Sequence, residues 1–284
     1  MKSVRYRSLS LLTLAVTGFS GHAQPGSFSS DSIIYKRVDS VDLYLKVIYP
    51  PSFSSSDTWP AAVYFFGGGW KSGTMHHLLP QAKYFASRGI VGFLVDYRVY
   101  SRHRTTPFEA LSDAKSAIRF IKKHTERFHI APNRLIGIGA SAGGQLAAAS
   151  CLINGYNNPK DDTTISTALD ALVLFNPVLD NGPGGYGHER IGTQYKNFSP
   201  LHNIRAGAPP TLIFLGTKDE LVPVEAMEYY KMTMERTGGR CELLLYDGQE
   251  HGFFNFRNRK FFNETLLEAQ RFLTSLGYLK ADTD

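Results

Sequence analysis

Cysteine, an excess charge of one sign and long apolar runs are all scarce in this sequence. Cys151 and Cys241 are the two cysteines among 284 residues, so the fold cannot rest on a disulfide framework. Both lie in apolar segments, which favours two buried thiols over a disulfide. Basic residues number 31 against 25 acidic ones. No segment combines dense Lys and Arg with aromatic residues, so nucleic acid is not an expected partner.

Metal-ligand patterns are missing as well. The sequence has no Cys-x-x-Cys pair and no histidine-rich spacing, so neither a catalytic metal nor another cofactor is expected. Hydrophobic residues make up 43% of the chain and charged residues 20%, values that are close to the average for globular domains. The composition therefore predicts one well-packed domain, and it leaves the oligomeric state open.

The first 23 residues have the pattern of a secretory signal peptide. A basic start precedes a short apolar run from Leu9 to Phe19, and small residues follow, ending at Ala23. This run is too short to persist as a membrane-spanning helix. We therefore predict export to the periplasm or the cell exterior, with cleavage after Ala23 and no lasting membrane insertion. Residues 24–32 are predicted as a linker, and residues 33–284 as one folded domain.

Strand-like and helix-like segments alternate along the rest of the chain. Residues 33–38 and 41–48 predict an antiparallel hairpin, and further strands are predicted at 61–66, 90–95, 135–138, 172–175, 212–215 and 242–246. Between them lie helical segments, at 76–87, from 107, from 142, at 224–236 and at 261–276. This order predicts an α/β fold whose mostly parallel sheet is covered by helices on both faces. Its ligand site is expected beyond the carboxyl ends of the strands, beside a small loop-type cap at residues 180–210.

A predicted strand and a predicted helix meet at Gly139-Ala140-Ser141-Ala142-Gly143. This pattern is typical of the turn that raises a nucleophilic serine above a sheet. Because a serine hydroxyl needs a base to take its proton, we looked for a histidine after a later strand, and His251 fits best. Asp219, which also follows a strand, completes the order Ser, Asp, His. Asp247 and Asp180 are the alternative acids.

Glycines also end the first predicted parallel strand, in Phe66-Gly67-Gly68-Gly69-Trp70. Glycines let backbone N–H groups approach a substrate closely, as a site that stabilises a tetrahedral oxyanion requires. Ala142, which follows the nucleophile, would supply another N–H group. Trp70, Tyr97 and Tyr186 are candidates for substrate contacts, with packing beside the pocket as the alternative for each.

Together these motifs resemble the α/β-hydrolase superfamily, and within it the esterase and lipase branch that contains hormone-sensitive-lipase-like enzymes and bacterial acetylxylan and feruloyl esterases. The resemblance implies that Ser141 is the nucleophile, His251 the general base and acid, and Asp219 the orienting acid. It also implies an oxyanion hole formed by Gly68, Gly69 and Ala142. One position departs from the family pattern, because Phe66 stands where the family commonly has histidine.

The sequence therefore predicts a serine carboxylesterase that hydrolyses short-chain acyl esters through an acyl-enzyme intermediate. Export and the Tyr- and Asn-rich segment at 180–210 favour a carbohydrate ester such as acetylxylan. Two alternatives remain, a serine peptidase of the same fold and a binding protein that has lost catalysis. A serine-reactive phosphonate probe separates the binding protein from either enzyme.

Overall fold

The computed structural model describes residues 28–280. The predicted signal peptide and the first four residues of the predicted linker lie outside this range. Strand β1 begins at Ser30, so the folded domain starts three residues before the predicted boundary. The reason is pairing, since Ser30 and Ser32 are in register with Ile48 and Lys46 of the next strand.

Eight strands form one sheet in the described part of the chain. Their bounds are β1 Ser30–Val38, β2 Val41–Ile48, β3 Trp59–Phe65, β4 Val91–Val95, β5 Ile130–Ala140, β6 Ala171–Phe175, β7 Thr211–Gly216 and β8 Cys241–Tyr246. Across the sheet the order is β1-β2-β4-β3-β5-β6-β7-β8. Strand β2 runs antiparallel to both of its neighbours, and the other pairs are parallel. The predicted mostly parallel sheet is confirmed.

Helices pack on both faces of this sheet. The α-helical segments are α1 Leu79–Ala86, α2 Tyr100–His103, α3 Pro107–Lys123, α4 Thr125–Phe128, α5 Ala142–Leu152, α6 His188–Ile191, α7 Tyr195–Phe198, α8 Val224–Arg236 and α9 Arg259–Ser275. Apolar side chains of α3, α5 and α8 join one core cluster, and those of α1 and α9 join the other. Strand residues alternate between the two, with Val63 in the first cluster and Tyr64 in the second, as the pleat of a strand requires.

Two predicted segments differ from the structure. The helix predicted at 76–87 is a 3-10 turn, Met75–Leu78, followed by α1. Pro80 sits in the first turn of α1, where its missing N–H costs no helical hydrogen bond. The cap predicted as a loop contains α6, α7 and two 3-10 turns, Gly192–Gln194 and Pro200–Asn203. Its short helices pack on the core through Ile191 and Phe198, both of which are buried.

The two cysteines are buried free thiols. Burial raises the pKa of each thiol to about 12, because a thiolate loses its hydration there. Both therefore behave as small core residues at neutral pH. Within residues 28–280, no helix has the length and apolar character needed to cross a membrane.

Candidate active site

The turn that carries Ser141 requires both of its flanking glycines. A Cβ on Gly139 would lie 2.3 Å from the carbonyl oxygen of Gly143, and a Cβ on Gly143 would lie 2.0 Å from that of Phe65. Ser141 itself has φ 52° and ψ −119°, a strained conformation that the surrounding structure must hold in place. The turn thus sets the serine between the end of β5 and the first turn of α5, whose dipole favours negative charge nearby.

Ser141, His251 and Asp219 form one hydrogen-bonded chain. Nε2 of His251 lies 3.0 Å from Oγ of Ser141, and Nδ1 lies 2.7 Å from Oδ2 of Asp219. The Asp219 side chain is completely buried, whereas that of His251 is 23% exposed. A buried carboxylate on Nδ1 holds the imidazole in the tautomer whose Nε2 can accept the serine proton.

Asp219 is fixed by the backbone of its own loop. Its Oδ1 accepts hydrogen bonds from the amides of Leu221 and Val222, at 2.9 and 3.0 Å. Of the two alternative acids, Asp247 is exposed and accepts from Thr217 Oγ1. Asp180 accepts from the amide of Gly182 within the cap. The structure therefore places Asp219, and neither alternative, on His251.

The glycine loop after β3 lies beside the nucleophile. A Cβ on Gly67 would be 3.4 Å from Cβ of Ser141. Gly68 and Gly69 have φ values of 132° and 62°, a backbone region that side-chain-bearing residues rarely adopt. Among the hydrogen bonds of residues 28–280, the amides of Gly68 and Gly69 have no protein acceptor. Together with Ala142 at the start of α5, the loop offers N–H donors beside Ser141, the arrangement that stabilises an oxyanion.

Two of the three predicted substrate contacts, Trp70 and Tyr97, are enclosed by packing in this structure. Tyr97 is fully buried; its hydroxyl donates to the Phe66 carbonyl at 2.7 Å, and its ring stacks on Phe66 with centroids 4.0 Å apart. Trp70 is 1% exposed, with its ring packed against Phe198 and Tyr186. Both residues support the glycine loop from behind and leave no surface for a substrate.

Tyr186 lies where a substrate contact remains open. A Cβ on Gly69 would lie 2.3 Å from the Tyr186 hydroxyl, so this phenol sits directly against the glycine loop. Arg190 reaches the same loop and donates to the Gly69 carbonyl at 2.5 Å. Its guanidinium also lies over the Trp70 ring, 5.4 Å from the centroid. The cap is therefore anchored on the candidate oxyanion hole.

Three polar residues that the sequence analysis did not select also belong to the site. Asn176 directly follows β6; its Nδ2 lies 3.2 Å from Nε2 of His251, and its Oδ1 accepts from the Gly252 amide. His77 and Asn255 link the glycine loop to the carbonyl of Gly252. Asn176 carried a usable signal, since it stands at a strand end like Ser141 and Asp219. No sequence signal of this kind marks His77 or Asn255.

The arrangement can perform acyl transfer. It combines a serine with a base, an acid that orients the base, and backbone donors beside the nucleophile. Within residues 28–280, no three or more His, Cys, Asp or Glu side chains are grouped so that they could hold a metal ion.

Comparison with known families agrees with this geometry. The BD-FAE family model matches residues 45–181, a range that contains the glycine loop and Ser141. The model described as the prolyl oligopeptidase family matches residues 175–275, a range that contains Asp219 and His251.

The chain is similar to several proteins that are named esterases. The acetylxylan esterase of Xylanibacter ruminicola is 26% identical over 76% of this chain and 45% of its own length. The isoprenylcysteine alpha-carbonyl methylesterase of Arabidopsis thaliana is 24% identical over 78% of this chain and 56% of its own length. The chain thus spans about half the length of these relatives.

Solved structures give a fuller match. The apo form of Thermogutta terrifontis esterase 2 superposes with a TM-score of 0.85 and 41% identity, covering 91% of this chain and 97% of the other. The propionate-bound form of the same esterase has a TM-score of 0.85 and 40% identity, covering 92% and 98%. At this identity and coverage, the chain belongs to the esterase branch of the α/β-hydrolase superfamily.

Proposed function

We propose that this protein is a serine carboxylesterase that hydrolyses short-chain acyl esters through an acyl-enzyme intermediate. The observation that carries the proposal is the hydrogen-bonded chain from Ser141 through His251 to Asp219. Beside it lie the amides of Gly68 and Gly69, which have no protein acceptor among the hydrogen bonds of residues 28–280. Homologous esterases with the same architecture support the reaction class. A shared fold alone would not support the reaction class, because one fold hosts many activities.

The reaction follows from the positions of these groups. Oγ of Ser141 attacks the ester carbonyl carbon while its proton passes to Nε2 of His251. The amides of Gly68, Gly69 and Ala142 stabilise the oxyanion. His251 then donates the proton to the departing alkoxide, and the acyl group remains on the serine. Water attacks this acyl-enzyme, gives its proton to His251, and releases the carboxylic acid as the serine regains its proton.

Several observations favour a short acyl group on a carbohydrate. The Tyr186 hydroxyl lies against Gly69, so a bulky acyl group would meet this phenol at the loop, and the related Thermogutta esterase 2 has been solved with propionate and with butyrate bound. One relative is named an acetylxylan esterase. With the signal peptide inferred from the first 23 residues, these observations support an exported enzyme that removes acetyl groups from a polysaccharide such as xylan.

The proposal is tested by hydrolysis rates of the purified protein on p-nitrophenyl acetate, on acetylated xylan and on a peptide p-nitroanilide. We expect both esters to be cleaved, and Ser141→Ala to lower kcat by about 10⁴-fold or more, as the loss of a triad serine does. Ser150→Ala is the matched control, since Ser150 lies on the same helix and its hydroxyl donates to the Leu146 carbonyl. Its activity should equal that of the unmodified protein.

Each substrate decides a different part of the proposal. If p-nitrophenyl acetate is cleaved and acetylated xylan is not, the esterase stands and the polysaccharide substrate is wrong. If the anilide alone is cleaved, the peptidase reading, which the match to the prolyl oligopeptidase family also suggests, replaces the esterase. If no substrate is cleaved and a fluorophosphonate does not label Ser141, the protein is not a serine hydrolase.

A further inference from the structure

A chain of hydrogen bonds outside the triad joins the glycine loop to the histidine loop. The Gly67 amide donates to Nδ1 of His77 at 3.1 Å. Nε2 of His77 lies 2.7 Å from Oδ1 of Asn255, and Nδ2 of Asn255 donates to the Gly252 carbonyl at 2.8 Å. One end of these linked hydrogen bonds is Gly67, next to the candidate oxyanion donor Gly68, and the other end is Gly252, next to His251.

The backbone at each end fixes the direction of every bond in this chain. The Gly67 amide can only donate, so Nδ1 of His77 is an acceptor and the neutral ring carries its proton on Nε2. That proton goes to Oδ1 of Asn255, which leaves Nδ2 to donate to the Gly252 carbonyl. Burial lowers the pKa of His77 below its ordinary value of 6.5, which favours the neutral ring that the chain requires.

His77 acts on a peptide group that is held at both of its polar atoms. The carbonyl of the Phe66–Gly67 peptide accepts from the Tyr97 hydroxyl, and its N–H donates to His77. Rotation of this peptide would turn the amide of Gly68, which comes next in the chain. Gly68 and Gly69 have no side chains of their own to hold them, so these contacts help to set where the Gly68 amide points. The Gly68–Gly69 peptide is held in addition by the amides of Lys71 and Ser72, which donate to the Gly68 carbonyl.

Gly252 is held on both sides as well. Its N–H donates to Oδ1 of Asn176 at 2.9 Å, and its carbonyl accepts from Asn255. Gly252 has φ 85°, a backbone region that glycine adopts readily. It is held there by the two amide side chains and by the backbone N–H of Asn255, which also donates to the Gly252 carbonyl. The position of His251 therefore depends on Asn255 through one covalent neighbour.

We propose that His77 and Asn255 are positioning residues that hold the oxyanion loop and the loop of the catalytic histidine at a fixed separation. The inference rests on the proposed esterase function and deepens it, since it assigns a task to two residues that do not touch the reacting atoms. Oxyanion stabilisation demands donors within a few tenths of an ångström of the developing charge. A link between donors and base keeps that geometry while the substrate changes from planar to tetrahedral.

Two replacements of His77 separate its two bonds. The side-chain amide of asparagine reaches about as far as Nδ1 of histidine. His77→Asn therefore keeps an acceptor for the Gly67 amide and loses the hydrogen bond to Asn255. The side-chain amide of glutamine reaches about as far as Nε2 of histidine. His77→Gln therefore keeps the hydrogen bond to Asn255 and loses the one from the Gly67 amide. We expect His77→Gln to lower kcat on p-nitrophenyl acetate by about 10- to 100-fold, less than the loss of an oxyanion donor itself, with little change in KM. His77→Asn should lower kcat to a similar extent, because it breaks the same link at its other end.

A double variant tests the link between the two loops. If His77 and Asn255 act as one unit, His77→Gln combined with Asn255→Ala should be no slower than the slower single variant. If the two losses multiply, the residues act independently and the inference is overturned. It is also overturned if either His77 variant keeps full kcat, or if KM alone changes.

Amide exchange provides a readout that does not need activity. Exchange of the Gly67 N–H, followed by NMR, should be faster in His77→Gln than in His77→Asn, because only asparagine retains the acceptor. Equal exchange in the two variants would refute the hydrogen-bond assignment. An inactive unmodified protein would overturn the proposed function and the positioning role with it. An active protein with unaffected variants would overturn the positioning role alone.

Discussion

Asn176 places a hydrogen-bond donor against the atom of His251 that must take the serine proton. Its Oδ1 is committed to the Gly252 amide, so Nδ2 is the atom that faces Nε2, at 3.2 Å. A donor in this place favours the neutral imidazole, because a proton on Nε2 would meet another proton. The replacement Asn176→Asp keeps the acceptor for Gly252 and exchanges the donor for a carboxylate oxygen, which favours the imidazolium instead.

The expected shift of the pH profile follows from the distance between the side chain at position 176 and Nε2 of His251. Two unit charges 3.2 Å apart interact by about 1.3 kcal/mol in water and by about 5 kcal/mol at an effective dielectric constant near 20. Since about 1.4 kcal/mol corresponds to one pH unit, and His251 is partly exposed, we expect the acid limb of the kcat/KM profile to move upward by about 1 to 3 pH units.

The assay is a pH series of kcat/KM on p-nitrophenyl acetate for the unmodified protein and Asn176→Asp. The alkaline plateau provides the internal control, because there the imidazole is neutral in both proteins and the rates should converge. An acid limb at the same pH in both proteins would refute the reasoning, since it would mean that the side chain at 176 does not act on Nε2. A uniform loss at every pH, plateau included, would refute it too, and would indicate displaced geometry.

Three further predictions concern the triad, the core and acid stability. Asp219→Asn should lower kcat on the order of 10⁴-fold while the protein stays folded, because an amide next to His251 favours the wrong tautomer; an equally active variant would contradict the assignment. Asp113→Asn should lower the free energy of unfolding by about 3 kcal/mol or more, since its fully buried carboxylate partners two buried or mostly buried cations. The exposed control Asp42→Asn should cost below about 1 kcal/mol, and equal losses in a urea titration would refute this. Burial lowers the pKa of His77, so below about pH 6.5 the unfolded chain binds more protons than the folded protein, and the free energy of unfolding falls as the pH drops through that value. His77→Asn should make the free energy of unfolding less dependent on pH between pH 7 and 5, and an unchanged dependence would contradict this.

The catalytic candidates were predictable because strand ends are visible in a sequence. Ser141, Asp219 and His251 each follow an apolar strand, and the carboxyl ends of parallel strands meet at one edge of the sheet. His77 was not predictable. Its partner Asn255 lies 178 residues away, and nothing near His77 in the sequence indicates which loop faces it. Periodicity locates elements, but it does not give their mutual distances.

Trp70 and Tyr97 show a different limit. Both stand beside glycines or strand ends, where aromatic residues often line pockets, and composition cannot tell a pocket wall from the layer behind it. The structure decides by burial, since neither ring has surface left for a ligand. Tyr186, which belongs to the cap, keeps partial exposure. An aromatic residue between the glycine loop and the sheet is more readily enclosed than one in the cap, which lies over the outer side of that loop.

Phe66, the departure from the family pattern, follows from the same contacts. The candidate oxyanion donors are backbone amides, so under the proposed function the side chain at position 66 need only help to hold the loop. Here its ring stacks on Tyr97, at an interplanar angle of 11°, and the Tyr97 hydroxyl holds the Phe66 carbonyl. The amide of the next residue, Gly67, donates to His77. A histidine ten residues further along the chain thus supplies a hydrogen bond within the loop, and position 66 is left for apolar packing.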